Sequence, residues 1–206
     1  MDADDFYPDS TILQNLYEGA VKNHVKICGG SFCSLIEGNI ITDYYEKNEG
    51  YVFRTDSKIK YEDYQWDWGF TRFCYELKML KDNDIYFPER TYYEDPPFLV
   101  KAMICAGDFY AVAQITYCYR EAYKLRNLSE TNLTDMLEGV LDILAMAEQK
   151  QLWRLEGYMR DRIEVYKLPL YNQVVNGNKK MEALLKQINK KLNVYALQKA
   201  GLIPYF

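Results

Sequence analysis

Apolar residues recur every three or four positions in several parts of the chain, which is the spacing of one face of an α-helix. Asp9 or Ser10 can cap the first of these stretches, and Gly107 can end a later one in a left-handed conformation. The break at residues 176–178 (Asn-Gly-Asn) separates the last two. The pattern predicts helices over residues 12–21, 68–80, 96–106, 153–165 and 180–199, and a long helix that begins near residue 129.

Stretches rich in alternating and β-branched residues predict strands over residues 25–28, 32–36, 40–45 and 109–119. Gly29-Gly30 is expected to end the first strand, and residues 37–39 (Glu-Gly-Asn) fit a hairpin turn. Residues 47–64 are polar and predict an irregular loop. The expected fold class is therefore α/β, with strands and helices mixed (α+β) over residues 1–126 and an all-helical C-terminal tail over residues 127–206.

Composition places the chain among folded globular proteins, since 49% of its 206 residues are hydrophobic and 27% are charged. The net charge of −5 argues against nucleic acid as a partner, because phosphate binding needs a basic surface. No apolar run reaches the ~20 residues of a membrane-spanning helix. The five cysteines form no CxxC pair, so we expect reduced thiols and a cytoplasmic protein.

The run from residue 92 to residue 98 (Tyr-Tyr-Glu-Asp-Pro-Pro-Phe) places two carboxylates where an aromatic segment becomes a helix. Prolines fit the first helical turn, because the N–H group that they lack would have no partner there. Asp95 precedes them, at a position where a side-chain oxygen can accept a bond from a free backbone N–H. We interpret Asp95 as a helix cap, a catalytic base, or both.

The chain opens with two further carboxylates, Asp2 and Asp4, separated by one residue. Carboxylate oxygens are suitable ligands for a hard divalent cation that also binds phosphates. The same residues are equally consistent with an acidic tail or with a cap for the first helix. The sequence pattern leaves both interpretations open.

These motifs follow one another in an order that resembles the second half of a family 2 glycosyltransferase with the GT-A fold. The resemblance covers roughly residues 1 to 126. Each motif is short, and the joint order carries the resemblance. The motifs are Asp2-Ala3-Asp4, Gly29-Gly30, the aromatic segment 68–80, residues 83–88 (Asn-Asp-Ile-Tyr-Phe-Pro), Glu94-Asp95, and residues 117–120 (Tyr-Cys-Tyr-Arg).

The resemblance implies an inverting transfer of a sugar from a nucleotide-sugar donor to an acceptor hydroxyl, in the synthesis of a surface polysaccharide or another glycan. It assigns Asp2 and Asp4 to a divalent metal site, for Mn²⁺ or Mg²⁺, that also holds the donor diphosphate. It assigns Asp95 the role of catalytic base. Glu94 is expected to orient Asp95 or the acceptor.

Four other residues are candidates for substrate binding. Arg120 ends an alternating strand, and it either binds a phosphate through two N–H groups or forms an exposed salt bridge. Trp68 and Arg72 are candidates for the acceptor side, although core packing is the more common role of a tryptophan. Tyr93 adjoins the carboxylate pair and is the fourth candidate.

The chain departs from the family at its N-terminus. In the family a nucleotide-binding half precedes the Asp-x-Asp motif, whereas here Met1 directly precedes Asp2. We therefore expect an incomplete fragment, with a sheet edge that is open to self-association. The alternative is a non-catalytic remnant that binds a glycan or a protein.

Lysines give the helical tail a local basic character, at positions 179, 180, 186, 190, 191 and 199. A basic helical face of this kind is either solvated or rests on anionic lipid at the inner face of a membrane. The second reading fits a lipid-linked acceptor. Peripheral membrane contact is therefore one expectation for the tail.

Overall fold

The computed structural model describes residues 3–36, 39–41, 49–120 and 128–192. The chain forms two compact units that alternate along the sequence. Unit 1 comprises Met1–Tyr86 and Lys101–Leu125, and unit 2 comprises Phe87–Val100 and Arg126–Phe206. Residues 87–100 thus group with the C-terminal helices, while the domain boundary expected at residue 126 stays a prediction.

The elements of unit 1 are mostly strands with short helices between them. They are α1 (Ile12–Lys22), β1 (Ile27–Ile36), β2 (Asn39–Ile41), β3 (Ser57–Lys60), α2 (Tyr61–Tyr64), β4 (Phe73–Tyr75), α3 (Leu77–Asp82) and β5 (Asp108–Arg120). Helix α4 (Asp95–Ala106) is divided between the units after Val100. The elements of unit 2 are α5 (Glu130–Lys150), α6 (Trp153–Val165), α7 (Lys167–Val175) and α8 (Lys179–Lys191).

The five strands form one mixed sheet in the order β2-β1-β5-β3, with β4 also paired to β1. Strands β1 and β5 are parallel, and the other pairs are antiparallel. The antiparallel pairing of β1 with β2 confirms the predicted hairpin. A mixed sheet with flanking helices confirms the expected α/β fold class.

Strand β1 continues through Gly29 and Gly30, where the sequence predicted its end. A Cβ atom on Gly29 would lie 1.9 Å from Cδ1 of Phe73 on β4. A Cβ atom on Gly30 would lie 2.3 Å from Cγ2 of Thr116 on β5. The two glycines therefore let neighbouring side chains pass close to the strand, and they do not form a turn.

The helix predicted over residues 68–80 is wrong for residues 68–76. A 3-10 turn (Phe70–Arg72) leads into β4, and α3 begins only at Leu77. Aromatic residues favour strands when a partner strand is present, and β4 pairs with β1 through Gly29↔Phe73 and Cys28↔Cys74. The predicted loop over residues 47–64 is also only partly irregular, because it contains β3 and α2.

Unit 2 is built around α5. The hydroxyl of Ser129 accepts a hydrogen bond from the backbone N–H of Asn132 at 3.1 Å, which confirms the predicted start of this helix. Helix α7 was not predicted, whereas the break before α8 is confirmed by Gly177, which has φ 90°. Within the described ranges no helix is long and apolar enough to cross a membrane.

Helix α5 also packs against the segment that precedes α4. The ring of Tyr93 is 3% exposed and lies against Gly139 in the middle of α5. A Cβ atom on Gly139 would come within 2.6 Å of Cδ1 of Tyr93 and within 3.2 Å of its backbone oxygen. Glycine is therefore required at this helical position by the closeness of Tyr93.

The structure differs from the expectation that all the cysteines are reduced. Cys33 on β1 and Cys118 on β5 are register partners and are joined by a disulfide, with 4.7 Å between their Cα atoms. Cys28, Cys74 and Cys105 are free thiols. Burial, with a smaller contribution from neighbouring Cys74, raises the pKa of the Cys28 thiol to about 12.

We predict that the denatured, unreduced protein exposes three reactive thiols and that reduction raises this number to five. In the folded protein Cys28 should resist alkylation at mildly alkaline pH, because the thiolate is the nucleophile and burial disfavours it. Mass spectrometry of alkylated peptides measures both. Five reactive thiols before reduction would show that Cys33 and Cys118 are not bonded.

Replacement of Gly139 by alanine should destabilise the protein. Alanine normally favours a helix by about 1 kcal/mol over glycine, but the added methyl group would overlap Tyr93. Overpacking of this kind costs about 1–3 kcal/mol, so the midpoint of thermal or denaturant unfolding should fall. The loss should be smaller in a Tyr93→Ala background, and a raised midpoint for Gly139→Ala alone would contradict the packing argument.

Candidate active site

The acidic N-terminal segment of unit 1 is bonded to the end of β5. Asp5 is 7% exposed, and its Oδ2 accepts a hydrogen bond from the hydroxyl of Tyr117 at 2.6 Å. Its Oδ1 accepts a bond from the backbone N–H of Arg120 at 2.8 Å. Phe6 pairs with Cys118 through two backbone bonds of 3.2 and 3.0 Å. These contacts fix residues 5 and 6 beside the C-terminal end of β5.

Asp4 lies next to this buried carboxylate but is exposed. The Arg120 side chain donates from Nε to the backbone oxygen of Asp4 at 2.9 Å, and its guanidinium carbon lies 5.9 Å from the centre of the Phe6 ring. Arg120 is itself exposed. The predicted phosphate contact of Arg120 stays a prediction, and the structure adds that this side chain holds the backbone beside Asp4.

The predicted metal ligands are described only in part. Asp2 lies outside the described residues, whereas the Asp4 carboxylate has no partner among them. No cluster of three or more His, Cys, Asp or Glu side chains suited to a metal ion occurs in the described part of the chain. An exposed carboxylate without a partner fits a hard divalent cation chemically, so Asp4 remains a candidate ligand.

Arg72, predicted on the acceptor side, is fully buried in unit 1. Its Nη1 donates to the Gly30 oxygen at 3.3 Å, and its Nη2 donates to the Gly50 oxygen at 2.6 Å and to the Tyr64 hydroxyl. The guanidinium carbon lies 4.8 Å from the Phe73 ring centre. A buried charge is tolerated only when it is well bonded, so Arg72 connects β1, the 49–51 turn and α2 from the inside.

Trp68 occupies the loop that leads to Arg72. It is half-buried and directly precedes Gly69, which has φ 80° and begins the 3-10 turn. The half-buried position is compatible with both of its predicted roles, packing and acceptor binding. The assignment of Trp68 to the acceptor therefore stays a prediction.

Asp95, the predicted base, is the first residue of α4 and belongs to unit 2. The two prolines that follow lie in the first turn and are buried, as the sequence predicted, although the helix begins one residue earlier than expected. Asp95 and Glu94 are both half-buried. A carboxylate at a helix N-terminus is stabilised by the helix dipole.

The turn immediately before this carboxylate pair is bonded to α5. Oδ2 of Asp135 accepts hydrogen bonds from the backbone N–H and the hydroxyl of Thr91, both at 3.0 Å, and from the N–H of Tyr92 at 3.2 Å. Arg90 pairs with Asp142 at 2.7 Å. All of these contacts lie within unit 2.

Tyr93, predicted to bind substrate, lies inside unit 2. Its hydroxyl is 3.9 Å from the sulfur of Met159, and the guanidinium carbon of Arg162 is 5.6 Å from its ring centre. Its backbone has φ 61°, a left-handed conformation that a bulky side chain rarely adopts. The structure therefore places the Tyr93 ring in packing contacts directly before Glu94.

A separate groove of about 360 Å³ lies in unit 1 between α1, the segment before β3, and β5. Glu18, Lys22 and Asp56 are among its lining residues, and Oδ1 of Asp56 accepts a bond from the Ala113 N–H at 2.7 Å. Its lining contains none of the residues predicted from the sequence to be functional.

Sequence reasoning missed three residues that shape the candidate sites: Asp5, Asp135 and Gly139. Asp5 follows Asp4 directly, but only the fold shows that its carboxylate is buried against Tyr117. Asp135 and Gly139 lie on one face of α5, four residues apart. Aspartate and glycine have low helix propensity. Their presence inside a strong helical pattern was the available signal that they are needed for a contact.

A scan against protein-family models gives no match, and neither does a sequence search of curated proteins. Solved structures do match. The crystal structure of S. aureus TarS 1–349 in complex with UDP-GlcNAc aligns with a TM-score of 0.66 and 17% identity, over 98% of this chain and 58% of that chain. The structure of TarS 1–349 in complex with UDP gives a TM-score of 0.62 and 17% identity, over 98% of this chain and 57% of that chain.

The chain thus spans somewhat over half the length of the TarS chains that it resembles. TarS is a glycosyltransferase. An identity of 17% shows similarity of fold and does not distinguish family 2 from other families. The comparison therefore establishes that this chain has a glycosyltransferase-like fold.

Proposed function

We propose that this chain is the acceptor-side and catalytic part of a nucleotide-sugar glycosyltransferase that is similar to family 2 enzymes and inverts the anomeric centre. The observation that carries the proposal is the fold similarity to TarS with UDP-GlcNAc, which extends over 98% of the chain. The position of Asp95 at the start of α4, half-buried and preceded by a bonded turn, supports its role as the base.

In this reaction the acceptor hydroxyl attacks the anomeric carbon from the face opposite the diphosphate. A new bond forms between the acceptor oxygen and the anomeric carbon, and the bond from that carbon to the diphosphate oxygen breaks. The Asp95 carboxylate accepts the hydroxyl proton as the bond forms, which contributes about 10²–10⁴-fold to such a step. Glu94 orients Asp95 or the acceptor.

Asp4, together with Asp2, is proposed to hold a divalent cation, Mn²⁺ or Mg²⁺. A cation bound there would offset the negative charge of the diphosphate. The exposed carboxylate of Asp4 supports the assignment. The contacts of Asp5 and Arg120 support it as well, because they hold the backbone at and next to Asp4. Arg120 is proposed to contact phosphate and Trp68 to contact the acceptor.

The donor is a nucleotide-sugar, and the acceptor is a hydroxyl of a glycan or of a lipid-linked sugar used in polysaccharide synthesis. Contact of the lysine-rich helix α8 with anionic lipid would bring the protein to a lipid-linked acceptor. Exposed ion pairs already engage several of these lysines, including Lys179 and Lys186 with Glu182. Self-association through a sheet edge is a separate proposal.

Asp95→Asn should remove transfer and leave the fold intact. Asparagine cannot accept the hydroxyl proton, whereas it is accepted about as well as aspartate at a helix N-terminus; the lost charge there is worth about 0.3–1 kcal/mol. The measurement is release of UDP from UDP-GlcNAc in the presence of Mn²⁺ and acceptor, with wild type and variants extended by a nucleotide-binding half, because we expect the chain to be an incomplete fragment. Turnover should fall about 10²–10⁴-fold.

Glu89→Gln is the matched control, because Glu89 is an exposed carboxylate on the same segment. It should transfer sugar like the wild type. Equal turnover by wild type and Asp95→Asn would remove the base assignment. Binding of UDP or a glycan without any turnover, in the wild type as well, would instead favour the non-catalytic module.

Asp4→Ala should weaken the joint binding of Mn²⁺ and UDP, as measured by calorimetry. Loss of a direct ligand should weaken binding at least as much as loss of an outer contact, which is about 10–100-fold. Asp9→Asn is the control, because Asp9 is also exposed and its Oδ1 accepts a bond from the Thr11 N–H at 2.7 Å. Equal affinity of wild type and Asp4→Ala would exclude Asp4 as a ligand.

A further inference from the structure

We propose that helix α5 positions the candidate base Asp95. Asp135 is the positioning residue, and Gly139 leaves the space that the Tyr93 ring occupies. The inference rests on the proposed function of Asp95. It assigns the C-terminal helices a role in positioning the candidate base, whereas the sequence pattern predicted only a helical tail. All of the contacts that carry it lie within unit 2.

The first contact is made by a single carboxylate oxygen. Oδ2 of Asp135 accepts three hydrogen bonds, from the N–H and hydroxyl of Thr91 and from the N–H of Tyr92, at 3.0, 3.0 and 3.2 Å. Bonds to an ionised acceptor are stronger than neutral ones. Two consecutive backbone N–H groups, four and three residues before Asp95, are thereby fixed.

A second contact lies one residue earlier in the chain. Arg90, whose side chain is 14% exposed, pairs with Asp142 at 2.7 Å and with Glu138 at 3.7 Å. Residues 135, 138 and 142 are spaced three and four apart, which places them on one face of α5. Three carboxylates of one helix thus hold a run of three residues, 90–92.

The third contact holds a conformation that the sequence would otherwise avoid. Tyr93 has φ 61°, and such a backbone persists for a bulky residue only where surrounding structure enforces it. Its ring is 3% exposed, and the absence of a side chain at Gly139 leaves it room. Strained backbone that is held in place next to a reactive group is a recurrent feature of functional sites.

These restraints fix the backbone on both sides of Asp95. On its N-terminal side the chain is bonded to α5 at residues 90–92 and packed at Tyr93. On its C-terminal side two prolines fix φ in the first turn of α4. A reactive residue whose backbone is held from both sides is preorganised, and an error of about 1 Å in the position of such a group can lower a rate about 10²-fold.

Two variants of Asp135 test the inference, with Glu148→Ala as the matched control. Asp135→Ala removes the acceptor, whereas Asp135→Asn retains an amide oxygen without the charge. Glu148 is a carboxylate on the same helix that pairs with Lys191 on α8 at 3.0 Å, away from residues 90–95. The first readout is amide hydrogen exchange, which does not depend on activity.

In Asp135→Ala, exchange at Thr91 and Tyr92 should accelerate by about 10-fold or more, because the bonds to a charged acceptor are lost. Asp135→Asn should lie between wild type and the alanine variant, and Glu148→Ala should match wild type there. Unchanged exchange at these two amides in a folded Asp135 variant overturns the inference. If the alanine variant does not fold, Asp135→Asn decides the matter by the same measurement.

The second readout is the division between kcat and KM. Asp135→Ala should lower kcat for sugar transfer about 10–10²-fold, with the donor KM unchanged and partial recovery in Asp135→Asn. A fall in kcat no larger than that of Glu148→Ala overturns the inference. Failure of the proposed function is seen separately, because wild type would then show no transfer, or Asp95→Asn would retain it, whatever Asp135 does.

Discussion

The parallel pairing of β1 with β5 is the constraint on which unit 1 depends. The two strands pair from Cys28↔Tyr110 to Leu35↔Arg120, with register shifts between Gly29 and Phe32, and their carboxyl ends lie side by side. Parallel strands cannot be joined by a short turn, so the chain needs a long crossover between them. Here that crossover is the whole segment 37–107, which carries Arg72 and Glu94-Asp95.

The same pairing explains where the acidic N-terminal segment lies. Phe6 bonds to Cys118 near the carboxyl end of β5, and Asp5 bonds to Tyr117 and Arg120. Ligands of open α/β sheets bind beyond the carboxyl ends of parallel strands. The adjacent residues Asp4 and Asp5 differ in their surroundings. The Asp4 carboxylate is exposed, whereas the Asp5 carboxylate is buried and accepts two hydrogen bonds.

Local signals in the sequence were sufficient where the structure itself is local. Pro96 and Pro97 lie in the first turn of α4, Gly107 ends it with φ 76°, and Ser129 caps α5. The prediction of a helix over residues 68–80 failed because aromatic residues of this span form strand β4. That strand depends on its pairing with β1, which is distant in the sequence.

The candidate site shows the same difference between local and long-range signals in the sequence. Asp95 stands out in the sequence, because its motif combines two carboxylates with two prolines. The residues that hold it do not, since Asp135 reaches Thr91 over 44 positions of the chain. The burial of Arg72 was equally hidden, because its partners include Gly30 and Gly50, which carry no side chain to signal an interaction. Sequence reasoning thus identified candidate carboxylates, whereas the residues that support them become visible only in the fold.

The long reach of Asp135 has a consequence for synthesis on the ribosome. The chain grows from its N-terminus at about 5–20 residues per second, so Thr91 and Tyr92 emerge before the helix that bonds them. The turn next to Asp95 can take its final form only after α5 has been made, 44 positions later for the pair Thr91 and Asp135. Nascent chains that stop short of α5 would carry the acidic pair without these contacts, which couples the final conformation of this turn to synthesis of α5.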